Sequence, residues 1–254
     1  MSSLQIIDSH AHYENQRFEH DRHNMLAALP SAGVELVINV GCDIQSSCES
    51  ITLAETYNHV YATVGVHPHE AKTLTDLCEL KKLCAHPRVI ALGEIGLDFH
   101  YDLSPRDTQR YWFAKQLELA KEMGMPVVIH SREADEEVYE IIVNSQVRSG
   151  VVHSFCGNAA LACKYVQLGF HIGITGVVTF DKTGQLQEVV RTIPLAHILL
   201  ETDAPYMTPK PYRGKRNESQ FLTYVAQEVA RIKNVPVEEV CAQTSSNVKK
   251  LFSI

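Results

Sequence analysis

SPRDTQRYWFAKQLELAKEMGMPVVIH, residues 104–130, joins one helix to one strand. Pro105 stands near the start of the helical stretch Ser104–Met123, and Gly124 follows its end. The short apolar run Pro126–His130 comes directly after and reads as a buried strand. The same unit recurs along the chain. Further apolar runs lie at Leu4–Asp8, Val34–Val40, Val60–Val64, Val89–Leu92, Gly150–His153, Phe170–Ile174 and Ile198–Glu201, with helical stretches between most of them. The runs are rich in Val, Ile and Leu and mostly do not alternate, as parallel strands buried on both faces require. Eight such units predict an α/β chain folded as a closed (β/α)8 TIM barrel, with one domain over residues 1–254. The alternative is a doubly wound sheet. It would be favoured by a glycine-rich phosphate loop after an early strand, and neither GxGxxG nor GxxxxGK[ST] occurs.

Charge and cysteines narrow the class. The formal net charge of −7 argues against a protein that coats nucleic acid over a broad basic face, though not against a locally positive pocket. Seven cysteines (Cys42, Cys48, Cys78, Cys84, Cys156, Cys163 and Cys241) form no CxxC pair, which argues against a disulfide framework and a cysteine zinc site. Free thiols of a reducing compartment are expected. No basic stretch followed by an apolar run opens the sequence, and no run approaches the ~18 residues of a membrane helix. A cytoplasmic protein is expected, with no membrane contact and no obligate protein partner. A monomer is the default.

The chemistry lies at the strand ends. His10 and His12 follow the first run in Asp8-Ser9-His10-Ala11-His12, two apart and so on one side of an extended chain. Glu94 follows the fourth run, His130 ends the fifth, His153 ends the sixth and Asp203 follows the eighth. In a (β/α)8 barrel the C-terminal strand ends converge on one mouth, where active sites lie. These six side chains are more than one tetrahedral ion needs. They suit two divalent ions, with Glu94 giving one oxygen to each and a shared water as nucleophile. Asp203 is placed both to bind and to accept that water's proton. Glu94 and Asp203 are therefore the catalytic candidates. Zn, Mn, Co, Ni and Mg all remain open.

Substrate contacts are expected from His67 in Gly65-Val66-His67-Pro68-His69, and from Arg132, Arg213, Lys215 and Arg216, since guanidinium groups bind phosphate bidentately. Phe99, Tyr101, Phe155, Phe180, Tyr206 and Tyr212 lie near the mouth and are able to stack on bases, with core or rim packing expected of most. Trp112 is expected between helix and barrel. His69 and the histidines at 20, 23, 59, 86 and 100 are read as structural. His171 and His197 lie at strand starts, so at the opposite end.

DSHAH at 8–12, GVHPH at 65–69, GEIGLD at 93–98, PVVIHSREA at 126–134, VVHSF at 151–155, GITG at 173–176, ETDAPY at 201–206 and RGKRNE at 213–218 resemble, in this order, the TatD family of metal-dependent deoxyribonucleases among the amidohydrolase-like barrels. The resemblance implies a (β/α)8 fold and a two-metal site. It gives His10, His12 and Glu94 to one ion, and Glu94, His130 and His153 to the other, with Asp203 beside the first. It implies a 3′-to-5′ exonuclease or an endonuclease on nucleic acid, with single-stranded DNA or 3′ ends as substrate. One departure is Ser219, where many relatives continue with Pro, so that this loop is expected to be less rigid.

Two readings compete. An amidohydrolase-like enzyme would use the same metals to cleave a small-molecule amide or ester. Related barrels often bridge their ions with a carboxylated lysine. Here Glu stands in that role and the fourth and fifth strand ends carry no lysine, which favours the nuclease branch. A non-catalytic scaffold would be marked by a lost ligand, and none is lost.

Overall fold

The computed structural model describes residues 5–254, so Leu4 of the first expected run lies outside the described residues. Eight parallel strands form one sheet in sequence order, β1 to β8. They are β1 (Ile6–Ala11), β2 (Val34–Val40), β3 (Val60–Val64), β4 (Val89–Asp98), β5 (Val127–Arg132), β6 (Gly150–Val152), β7 (Phe170–Ile174) and β8 (Ile198–Leu200). The main helices are α1 (Arg22–Ala28), α2 (Ile44–Thr56), α3 (Cys78–Cys84), α4 (Arg106–Met123), α5 (Asp135–Ser145), α6 (Ala159–Gln167), α7 (Gln185–Thr192), α8 (Leu222–Lys233) and α9 (Val237–Phe252). The ring is completed just beyond β8. Ala11 and Ala204 form a parallel bridge. The Asp203 amide donates to the His10 carbonyl at 2.9 Å and the His12 amide to the Ala204 carbonyl at 2.8 Å. The chain is thus a (β/α)8 TIM barrel.

The expected unit at 104–130 forms with small shifts. Pro105 caps α4 and Gly124 ends it at φ 67°, the left-handed conformation that glycine adopts without strain. Ser104 stays outside the helix because its hydroxyl donates to the His69 carbonyl at 2.8 Å. The expectation for Trp112 needs correction. Phe113, Gln116, Leu117 and Ala120 are buried at helical spacing. Trp112, one position off that stripe, is only half-buried and lies edge-on to Tyr111.

β1 and β4 run past their apolar residues into the polar ones that follow. All six residues of β1 are buried, including Asp8, Ser9 and His10. β4 continues through Glu94 to Asp98, with a register shift between Leu92 and Ile95. Gly96 makes this possible. It sits at φ +153°, and a Cβ there would lie 1.9 Å from the His130 carbonyl oxygen. Gly96 pairs with His130 and Asp98 with Arg132.

At the opposite end of the barrel, His171 and His197 lie 5.5 Å apart, each with a buried Nδ1 that has no hydrogen-bond partner among the described residues. Burial and the neighbouring His197 push His171 down to about 4. The unfolded chain therefore binds the extra proton first. This contribution to stability is complete above the unfolded value of about 6.5 and is lost as pH falls towards 4. The ring is partly exposed, so the effect is on the order of 1 kcal/mol between neutral pH and about pH 5. His171→Gln should flatten the pH dependence of denaturant unfolding by that amount; an unchanged slope would remove His171 as its source.

Among the described residues no helix is long and apolar enough to cross a membrane. All seven cysteines are free thiols.

Candidate metal centre

His10 near the end of β1 and His12 just beyond it turn to one side, and their Nε2 atoms are 3.1 Å apart. His12 Nδ1 lies 2.8 Å from the Val40 carbonyl, an acceptor only, so Nδ1 carries the proton and the Nε2 lone pair faces the centre. His10 is fully buried, and among the described residues its Nδ1 has no hydrogen-bond partner. Glu94 reaches between two sets of imidazoles. Its Oε2 lies 3.5 Å from His10 Nε2 and 3.9 Å from His12 Nε2. Its Oε1 lies 2.8 Å from His130 Nδ1, 3.8 Å from His67 Nε2 and 3.9 Å from His153 Nε2. Asp203 Oδ1 is 3.4 Å from His12 Nε2, 3.8 Å from His153 Nε2 and 3.9 Å from His10 Nε2. His153 stacks on His10 at 3.4 Å. All six side chains expected from the strand ends meet here.

The spacing suits a cation. Donors held at about 2.0–2.2 Å on one tetrahedral ion lie roughly 3.3–3.6 Å from one another. The His10, His12, Glu94 and Asp203 atoms are separated by 3.1–3.9 Å in the pairs above. Three overlapping sets have ligand spacing: His10–His12–Glu94, His10–His153–Asp203 and His67–Glu94–His130. His153 thus stands closer to His10 and Asp203 than the division of ligands between two ions had implied, and His67 joins Glu94 and His130. Burial pushes the Glu94 carboxyl up, but His153, His10 and His130 outweigh it and hold it well below the usual carboxylate range. Asp203 is likewise lowered against burial by His12 and His153. Both present ionised oxygens to the centre.

Two supporting carboxylates escaped the sequence reading. Asp98 Oδ2 lies 3.1 Å from His130 Nε2 and 2.9 Å from His69 Nε2. It turns His130 so that Nδ1 faces Glu94, and it gives His69 a place beside the centre. Glu201 is fully buried; its Oε1 accepts the Ser154 amide at 2.5 Å and lies 2.9 Å from His153 Nδ1, within ion-pair reach though out of line for a hydrogen bond. Gly173 makes room for it, since a Cβ there would lie 2.4 Å from that oxygen. The only local signal was an acid near a strand end, which more often caps a helix. A carboxylate behind a ligating histidine fixes its tautomer and raises its basicity. Glu201→Gln should therefore lower metal affinity about 10- to 100-fold in a chelator competition. Unchanged affinity would show that His153 does not depend on it.

The loop containing Ser219 is not looser, as had been expected. The Ser219 hydroxyl donates to Asp8 at 2.6 Å, and its Oγ accepts from Tyr13 at 2.8 Å. Its amide donates to the Tyr13 oxygen at 3.0 Å, a bond proline cannot make. Arg216 also needs correction as a phosphate contact. Its guanidinium is taken by Asp21 at 2.6 Å and Glu218 at 3.1 Å, and it lies over Phe18. Arg213 donates to the Thr208 carbonyl at 3.0 Å and covers Phe180, while Lys215 lies 5.3 Å from the Tyr212 ring centre. Arg132 differs. Among the described residues its guanidinium makes no hydrogen bond or ion pair, and it lies 4.7 Å from the Tyr101 ring centre.

The model of the TatD related DNase family matches residues 7–253. The chain belongs to this family. It is 38% identical to the uncharacterized metal-dependent hydrolase YabD of Bacillus subtilis, over 98% of this chain and 99% of that one. It is 34% identical to the 3′-5′ ssDNA/RNA exonuclease TatD of Erwinia amylovora, over 98% of this chain and 100% of that one. The crystal structure of the TatD homologue YJJV from Escherichia coli superposes with a TM-score of 0.94 at 31% identity, covering 99% of both chains. As a TatD-related chain, it is a metal-dependent hydrolase.

Proposed function

We propose that this TatD-type hydrolase cleaves phosphodiester bonds of nucleic acid, acting from 3′ ends on single-stranded DNA, with two divalent ions held by His10, His12, Glu94, His130, His153 and Asp203. The observation that carries this reading is the division of Glu94, whose Oε2 faces His10 and His12 while Oε1 faces His67, His130 and His153. One carboxylate placed between two imidazole groups is the arrangement of a two-ion centre. When bound, such ions acidify a water and draw charge from a phosphate.

The chain's own residues supply the rest. Asp203, kept ionised, is the proton acceptor. Burial and the adjacent His130 keep His67 neutral beside Glu94, where it orients a phosphate oxygen. Arg132, whose guanidinium makes no hydrogen bond or ion pair among the described residues, is the bidentate phosphate contact. The name of the Erwinia relative supports a nucleic-acid substrate. The seven free thiols support a cytoplasmic place of action.

The test is hydrolysis of 3′-labelled single-stranded DNA with added Mg²⁺ or Mn²⁺. Metal-dependent release of mononucleotides is expected. No cleavage of DNA or RNA by protein carrying two ions would turn the reading to a small-molecule amide or ester.

A further inference from the structure

We propose that Tyr101 and Arg132 form one nucleoside subsite at the edge of the metal centre, with the guanidinium taking a phosphate and the phenol ring carrying the adjoining base. The proposal rests on the nucleic-acid reading above and adds to it the element that recognises a base.

Most aromatics near the mouth are already engaged. Phe155 is buried, Phe99 and Phe180 lie under arginines, and Tyr212 stacks on Phe221 at 4.4 Å. The Tyr206 hydroxyl accepts a hydrogen bond from Asn15. Tyr101 also meets one arginine, Arg132, but its ring remains 53% exposed, and among the described residues its hydroxyl has no hydrogen bond. An exposed ring is ordinary on a mobile turn, but this turn is fixed. Asp98 Oδ1 accepts the amides of His100 at 3.0 Å and Tyr101 at 2.9 Å. The other oxygen of Asp98 faces His130 and His69. A single buried carboxylate thus ties the Tyr101 backbone to a histidine of the metal centre.

Arg132 is tied to the same place. It is the register partner of Asp98, and its carbonyl accepts the Phe99 amide at 2.9 Å. The Tyr101 ring meets His69 edge-on at 5.5 Å and lies over the Arg132 guanidinium at 4.7 Å. A phosphate on Arg132 therefore places the attached nucleoside beside this ring. Stacking accepts any base, because every base has a π-face. The subsite would thus select for the presence of a base and not for its identity.

The experiment uses metal-loaded protein and fluorescence anisotropy with two labelled, cleavage-resistant phosphorothioate oligomers of equal length: octathymidylate and its abasic counterpart. Tyr101→Ala should weaken octathymidylate binding about 10- to 100-fold, the loss of one stacked base. Tyr101→Phe should keep the affinity. Tyr101→Leu, which keeps apolar bulk without a π-face, should fall with the alanine variant. Abasic binding should be the same in all four proteins. Unchanged octathymidylate affinity in Tyr101→Ala, an equal loss on both oligomers, or no binding of either by wild type would overturn the subsite. The nuclease reading is decided separately, by wild-type turnover of a normal strand.

Discussion

Glu94→Ala should lose hydrolytic activity by about 10³-fold or more, the upper end of what removal of a single preorganised electrostatic contact costs. It should also lose bound metal. Among the described residues Glu94 is the carboxylate that links His10 and His12 to His67 and His130, and five histidine nitrogens lie within 2.8–3.9 Å of its two oxygens. Asp203 does not take its place, because it faces His10, His12 and His153 but neither His67 nor His130. Glu94→Gln separates charge from shape: it fills the same volume but offers one neutral oxygen. Both variants should keep the fold, since Glu94 lies at the mouth and not in the apolar core. Metal content by mass spectrometry and turnover are measured on the same preparations. Normal turnover with full metal content would end the bridging role.

Gly96→Ala should damage the fold itself. A Cβ at this position would overlap the His130 carbonyl oxygen at 1.9 Å, and φ +153° is strained for any L side chain. Strain of about 1–3 kcal/mol and overpacking of about 1–3 kcal/mol together give about 4 kcal/mol. In a domain of this size that corresponds to a fall in Tm on the order of 10 °C. The damage is directed, since β4 and β5 part where Glu94 and His130 are mounted, and metal affinity should fall in the part that still folds. Thermal unfolding checks it. A Tm within about 2 °C of wild type would show that the two backbones separate easily.

The same stretch shows what the sequence could and could not reveal. β2, β3 and β7 begin and end where their apolar runs do. β1 and β4 continue further, because pairing with neighbours, not hydrophobicity, sets where they stop. Ala11 still pairs with Asn39, and Asp98 with Arg132. The convergence of the six side chains was legible because strand ends in a barrel converge by symmetry, so a histidine needs only to be counted to its strand end. Asp98 and Glu201 were not legible, since each acquires its role from a histidine more than thirty residues away. Arg216 misled for the same reason: its partner Asp21 is 195 positions distant.

The bridge between Ala11 and Ala204 has a consequence for how the protein comes into being. The sheet, unrolled, is a strip whose first and last edges meet at the centre, and His10, His12 and Asp203 are the residues at that join. A chain emerging from its N-terminus carries His10 and His12 from the outset but gains the Asp203 carboxylate only after the eighth strand exists. Incomplete chains, or chains clipped before residue 203, hold the imidazoles without the Asp203 carboxylate that faces them. A metal-dependent hydrolase built this way completes its centre only when the ring closes, so an unfinished copy lacks part of the site.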